Sequence, residues 1–149
     1  MAGWTSDNKI GFVWGGDTVD RVIYSVPASG GKAAQVTPSG DFYFPRWSPD
    51  GERIWFLNGD TPHTLGSVPS SGGTVRNLAT TVQEVPPGGG NVISPDGKNV
   101  VFAGFGGSGK GVNLWIMPLE GGQPAQLTSP MGQQDRFPCW CDEGRSLLF

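Results

Sequence analysis

Residues 47–56 read WSPDGERIWF, and this stretch decides the fold. An aromatic residue, Trp47, is followed by Ser48-Pro49-Asp50-Gly51 and then by the apolar run Ile54-Trp55-Phe56. Proline presets φ at the first corner of a tight turn, and Asp and Gly accept the bends that follow. The aromatic therefore closes one short strand and the apolar run opens another. The same unit returns without a gap as ISPDGKNVVF at 93–102 and WCDEGRSLLF at 140–149, and with one deletion as WTSDNKIGF at 4–12. Its anchors Trp4, Trp47, Ile93 and Trp140 are 43, 46 and 47 residues apart.

A second element keeps step with the first. VIYSVPASGGKAAQVT (22–37), TLGSVPSSGGTVRNLA (64–79) and NLWIMPLEGGQPAQLT (113–128) each place a proline and then a Gly-Gly pair at fixed positions. Pro27, Pro69 and Pro118 lack the N–H that a strand interior needs, so each marks a strand end. The pairs Gly30-Gly31, Gly72-Gly73 and Gly121-Gly122 turn the chain into a last short strand, such as Gln126-Leu127-Thr128. Each period of about 45 residues thus holds four strands, a to d, which is one blade of a β-propeller. Val75, Leu78, Ala79 and Val82 also fit a helical face, but the repeat register favours strand plus loop there.

The expected architecture is all-β: antiparallel four-stranded blades in a single partial propeller domain over residues 1–149. Blade 1 covers about 4–46, blade 2 about 47–92 and blade 3 about 93–139, with a half blade at 140–149. Propellers close with about four to eight blades. Three and a half repeats leave an apolar blade face bare at each end, roughly 400 Å² apiece on the scale of buried strand faces. Another copy, most simply in a two-fold dimer, or the rest of a longer chain would complete the ring.

The composition fits many short strands and tight turns. Of 149 residues, 25 are Gly and 13 Pro, while 11% are aromatic, which a disordered chain would lack. The net charge is −3 with no basic cluster, which argues against nucleic acid as a partner. No apolar run reaches the roughly 18 residues of a membrane span, and the first residues, which lack a basic-then-apolar pattern, are not expected to act as a secretory leader. Cys139 and Cys141 stand at i, i+2, a strained spacing for a bridge, and are expected as free thiols.

One motif points elsewhere. Gly104 to Gly111, within NVVFAGFGGSGKGV (99–112), matches G-x-G-x-x-G and nearly matches a P-loop. Such loops work because a helix starts after them and aims free N–H groups at the anion. Here the chain continues as Val112-Asn113-Leu114-Trp115-Ile116-Met117-Pro118, a strand ending at proline, and Gly111 replaces the Ser or Thr that would hold magnesium. The run reads as a hairpin loop, and no cofactor is expected. With a single histidine, His63, and no G-x-S-x-G, the chain offers no nucleophile triad and no zinc ligand set. Asp7, Asp50 and Asp96 recur because the turn requires them. Trp47, Trp55, Trp115 and Trp140 recur on strands and read as core between blades, whereas Trp14 reads as a loop residue free to stack on a ligand or partner.

Pro45-Arg46-Trp47-Ser48-Pro49-Asp50-Gly51 and Gly121-Gly122-Gln123-Pro124-Ala125-Gln126-Leu127-Thr128 resemble the P-x-W-S-P-D-G and G-G-x-x-x-Q-L-T stretches of TolB-like β-propellers. The resemblance spans nearly the whole chain. The first copy departs from it with Ser6-Asp7-Asn8, and the fourth has Cys141-Asp142 in place of Ser-Pro. The WD-repeat signature is missing, and so is the sialidase Asp-box, whose glycine would stand where the chain has Glu52. The resemblance implies a non-catalytic protein-interaction scaffold and a periplasmic or extracellular setting. Its enzymatic alternatives are the gating propeller of a prolyl-oligopeptidase-like hydrolase, which would need a catalytic domain besides these repeats, or a propeller lyase, which would use several histidines. In a propeller the loops joining b to c and d to a emerge on one face. The candidate contact residues are therefore Trp14, Asp17, Asp60, His63 and Lys110 from the first loop set, and Asp41, Tyr43, Asp135 and Arg136 from the second.

Overall fold

The computed structural model describes residues 2–4, 8–15, 20–59, 64–78, 90–105, 111–128 and 134–149. The chain divides into two compact units, Met1–Leu78 and Ala79–Phe149. Unit 1 holds two four-stranded antiparallel meanders. The first, blade 1, is β1 (Ala2–Trp4), β2 (Lys9–Trp14), β3 (Val22–Pro27) and β4 (Ala34–Gln35). Blade 2 is β5 (Phe42–Trp47), β6 (Arg53–Asn58), β7 (Thr64–Pro69) and β8 (Arg76–Leu78). Unit 2 holds blade 3, which is β9 (Asn91–Ile93), β10 (Asn99–Phe105), β11 (Val112–Pro118) and β12 (Ala125–Gln126). It ends in the two-stranded hairpin β13 (Cys139–Cys141) and β14 (Ser146–Leu148). Three full blades and a half blade make this a partial β-propeller.

The repeated sequence does repeated work. Ser48 Oγ accepts the Arg53 N–H at 3.0 Å and donates to the Asp50 carboxylate, which also takes the Glu52 N–H at 2.9 Å. Ser94, Asp96, Lys98 and Asn99 make the same set, with Asn99 N to Ser94 Oγ at 2.9 Å and Lys98 N to Asp96 Oδ1 at 3.0 Å. The Ser hydroxyl, followed by the backbone N–H, holds each Asp below the usual carboxylate range. Gly51 and Gly97 take φ of 75° and 69°, the left-handed region that closes the turn. At the other end of each blade, the N–H of Gly30, Gly72 and Gly121 bonds to the carbonyl of Pro27, Pro69 and Pro118, each the last residue of its strand.

The Q-x-T ending has a mechanism as well. Thr37 Oγ1 accepts the Ile23 N–H at 2.9 Å, and Thr128 Oγ1 accepts the Leu114 N–H at 2.9 Å. Gln35 and Gln126 clamp the same threonines by donating to their carbonyls. The threonine thus extends strand d's pairing to strand c beyond the two residues of ladder.

Trp4 and Trp47 are the last residues of their strands, so the first strand of blade 2 begins at Phe42, upstream of residue 47, whereas Trp140 is the middle residue of β13. The core of unit 1 comprises Ile23, Val36, Phe42, Ile54, Phe56 and Val68, with Val13, Trp47 and Val75 packed against it. Residues of both blades contribute, and the Trp47 ring lies against Gly11, where a Cβ would sit 1.4 Å from Cη2. In unit 2, Trp140 and Leu147 of the hairpin pack on Val101, Ala103, Val112 and Leu114 of blade 3. Trp55 is buried, and Trp115 donates its indole N–H to the Gly104 carbonyl at 3.3 Å.

Two expectations need correction. Trp14 is the last residue of β2, paired with Val22, and no loop residue, because the apolar run continues past Phe12. The fourth turn is rebuilt: Asp142, Glu143 and Gly144 form a tight turn with left-handed φ of 49°, 57° and 87°. Proline cannot adopt the first of these values, so this turn runs a different course from Ser-Pro-Asp-Gly. Around the opening ambiguities, β8 covers Arg76–Leu78 and Val82 lies outside the described residues. Gly106–Lys110 also lie outside them, but the flanking Phe105 and Val112 pair as strand residues, and β11 begins where a phosphate loop would need a helix.

Candidate functional site

Arg21, Asp41 and Tyr43 come together where blade 1 meets blade 2. Arg21 immediately precedes β3, at the end of the b-to-c connection of blade 1, and Asp41 immediately precedes β5, at the end of the d-to-a connection. The two form an isolated parallel bridge, with the Phe42 N–H donating to the Arg21 carbonyl at 3.0 Å. Their side chains complete the contact: Arg21 Nη1 donates to Asp41 Oδ1 at 2.8 Å and to the Tyr43 hydroxyl at 2.6 Å. The Tyr43 hydroxyl in turn donates to Asp41 Oδ2 at 2.8 Å. The guanidinium also sits over the Tyr43 ring, 4.6 Å from its centroid.

Local backbone features aim these groups. A bulge interrupts the β5–β6 register between Tyr43 and Arg46, and Phe44 within it takes φ of 52°. Bulges of this kind re-aim side chains at strand ends. Gly59, just after β6, donates its N–H to the Asp41 carbonyl, and a Cβ there would stand 2.4 Å from Asp41 Oδ2 and 2.7 Å from the Tyr43 ring. The close approach requires glycine.

The cluster is polar but half-open to solvent, with the Arg21 and Asp41 side chains 30% and 34% exposed. An ion pair that accessible contributes little to stability. Burial, followed by the Asp41 hydrogen bond and charge, pushes the Tyr43 hydroxyl above its ordinary range, while Arg21 pulls it partly back. At neutral pH the phenol is therefore protonated and serves as a hydrogen-bond donor. A paired guanidinium, carboxylate and phenol on one accessible edge suit recognition of polar peptide groups.

The other expected contact residues distribute as follows. Asp135 and Arg136 belong to unit 2, where the Asp135 N–H bonds to the Val112 carbonyl at 3.0 Å and Arg136 Nε donates to Gln134 Oε1 at 3.0 Å. Asp17, Asp60, His63 and Lys110 lie outside the described residues, as does Asp7. Trp14 is 69% exposed and lines an open groove of about 350 Å³ with Phe12, Tyr24 and Ala33. The Phe12 and Tyr24 rings stack there, centroids 6.0 Å apart and planes within 20°. Asp41 and Tyr43 were among the residues named from the sequence, whereas Arg21 and Gly59, which they meet here, were not. The signal for Arg21 lay in its place, directly before strand c, on the loop end that faces the next blade's first strand.

Among the described residues, no three His, Cys, Asp or Glu side chains gather to hold a metal, and no helix is long and apolar enough to cross a membrane. Cys139 and Cys141 are free thiols, the first exposed.

No protein-family model matches the chain, and no curated protein matches it. Solved structures do. TolB from Acinetobacter baumannii superposes with a TM-score of 0.79 at 19% identity, over 98% of this chain and 36% of that one. A structure assigned to TolB from Agrobacterium tumefaciens gives 0.66 at 23% identity, over 89% and 52%. The β-propeller domain of the Trilobed protease from Pyrococcus furiosus, described as having an open velcro topology, gives 0.62 at 14% identity, over 87% and 43%. The fold is that of a TolB-like β-propeller. The chain spans about half, or less, of the length of each of these structures.

Proposed function

We propose that the chain is a non-catalytic propeller scaffold that binds a protein or peptide segment at the Arg21–Asp41–Tyr43 edge and self-associates to complete its ring. The observation that carries the first part is the convergence of three side chains from two blades on the loop face, ordered by a bulge and an obligate glycine. The likeness to TolB structures supports a scaffold reading by analogy of fold alone. Panning a random dodecapeptide library on the immobilised protein tests it, followed by titration calorimetry of the enriched peptides. Asp41→Asn and Arg21→Ala are expected to weaken their binding at least tenfold. Failure to enrich any peptide, or binding indifferent to both substitutions, overturns the reading. Self-association is read separately, by light scattering: the reading requires a particle of twice the chain mass.

A second reading is favoured by the match to a protease propeller domain, of which the chain spans 43%. There the chain would be the gating propeller of a larger hydrolase. A continuous reading frame encoding a downstream G-x-S-x-G domain would support it.

A further inference from the structure

We infer that Asn58 is a spontaneous modification site whose deamidation is gated by the Arg21–Asp41–Tyr43 edge. When the edge opens, Asn58 converts through a succinimide to isoaspartate or aspartate, and the conversion dismantles the edge. The inference does not depend on what the edge binds.

The argument begins with a dipeptide. Of the six asparagines, Asn58 alone is followed by glycine; the others precede Lys, Leu or Val. Ring closure needs the next residue's backbone nitrogen to reach the asparagine side-chain carbon, and glycine neither shields that nitrogen nor restricts its swing. Packing makes this glycine obligatory, since a Cβ at Gly59 would collide with the Asp41 carboxylate and stand 2.7 Å from the Tyr43 ring. Building the edge thus creates the reactive pair. The chemistry needs only water. The Gly59 nitrogen bonds to Asn58 Cγ, and Nδ2 leaves as ammonia, taking the proton that the nitrogen gives up. Water then adds to one of the two ring carbonyls. Breaking the new Cγ–N bond leaves aspartate. Breaking the bond from the Asn58 main-chain carbonyl carbon to that nitrogen leaves isoaspartate, with one more carbon in the backbone.

The closed edge opposes the first step. Asn58 is the last residue of β6, paired with Phe42 on one side and Thr64 on the other, and is 4% exposed. The Gly59 N–H, whose proton must be lost, donates to the Asp41 carbonyl at 2.6 Å. Arg21 fixes Asp41 in turn, through the backbone bridge and through Nη1 at 2.8 Å from Oδ1. This latch stands at a strand end and is half-open to solvent, the kind of place that opens locally without global unfolding. The conversion rate therefore reports how often the latch opens. Either product sets a carboxylate where the side chain is buried, which costs far more than burying the amide. Isoaspartate also lengthens the chain just before Gly59 and withdraws it from Asp41.

The tryptic peptide 54–76 carries Asn58 as its only side-chain amide, so its change from amide to acid, read by mass spectrometry, reports this residue alone. In mildly alkaline buffer, the chain in guanidinium chloride is expected to convert at least tenfold faster than the folded chain. Under native conditions Arg21→Ala and Asp41→Asn should each speed conversion at least threefold, with the circular dichroism unchanged. Thr37→Val, which weakens blade 1 away from the latch, should leave the native rate unchanged. In a Tyr24→Phe chain, conversion should abolish the elevated Tyr43 phenolate midpoint. Equal rates in the folded and unfolded chains overturn the protection, and a native rate indifferent to both latch substitutions overturns the gate. Thr37→Val accelerating as much as Arg21→Ala also overturns it, because the amide then reacts only through global unfolding. A converted chain that keeps the Tyr43 midpoint overturns the loss of the edge.

Discussion

Replacing Gly11 by alanine puts a single methyl group into the joint between blades 1 and 2. The added Cβ would stand 1.4, 2.2 and 2.4 Å from three atoms of the Trp47 six-membered ring. Carbon atoms in contact rest about 3.5–4.0 Å apart, so the indole must retreat by roughly 2 Å. It cannot do so freely, because Trp47 packs against the cluster of Ile23, Val36, Phe42, Ile54, Phe56 and Val68. Forcing extra volume into a packed core costs about 1–3 kcal/mol, and relief of glycine's conformational freedom in a strand returns about 0.5–1 kcal/mol. A net loss of about 1 kcal/mol is expected, read from the midpoint of urea unfolding followed by circular dichroism. The decisive comparison is a cycle with Trp47→Ala, which alone should cost about 3 kcal/mol, the low end for a large aromatic that is only partly buried. With the indole gone, Gly11→Ala should become neutral or mildly stabilising, giving a coupling of about 1–2 kcal/mol. If Gly11→Ala is harmless in the wild-type chain, or equally harmful in both backgrounds, the ring does not lie on Gly11 and the blade joint is misplaced.

Three further outcomes are expected. In a Tyr24→Phe chain, which leaves Tyr43 as the sole tyrosine, phenolate absorbance should rise above the ordinary tyrosine range near pH 10; Asp41→Asn should lower that midpoint and Arg21→Ala should raise it. Because the folded value is raised, Tyr43's contribution to stability is complete below the unfolded pKa and is lost as pH climbs through the folded one; a midpoint indifferent to both substitutions refutes the cluster. Thr37→Val keeps the shape but leaves the buried Ile23 N–H without its hydroxyl acceptor, and should cost about 1–3 kcal/mol in urea unfolding, an unchanged midpoint being the contrary result. Asp50 and Asp96 are held low, so their contribution is present above the unfolded carboxylate range and is lost as pH falls through the folded values; the Asp50→Asn/Asp96→Asn chain should show a shallower decline of stability in acid, and an identical decline would count against the turn geometry.

The fold was legible in the sequence because its constraints are local and repeated. Ser48, Asp50 and Gly51 satisfy one another within six residues, and Thr37 closes on a strand 14 residues away in the same blade. Each period states the same geometry independently, so agreement between copies substitutes for any single strong motif. The phosphate-loop motif failed for the complementary reason: its residues matched, but the strand that follows it did not. Trp14 was misread because the apolar run of β2 outlasts those used to set the register, and pairing with Val22 extends the strand to it.

The site was half legible, and the missing half has a physical cause. Asp41 and Tyr43 could be named because the d-to-a connection has a defined place in every period. Arg21 joins them across 20 residues, and the positive φ that bends the strand at Phe44 recurs three residues before the anchors Ile93 and Trp140, at Gly90 and Phe137, so the period carries the bend but not the side chains that meet there. Gly59 gives no cue at all until the carboxylate stands 2.4 Å from where its Cβ would be. A repeat specifies its own scaffold many times over, but it specifies a binding edge only where one copy breaks the pattern. Departures from the period are therefore the places to search for function in such a chain. Here they fall at the Arg21–Asp41–Tyr43 edge and at the rebuilt turn beneath β14.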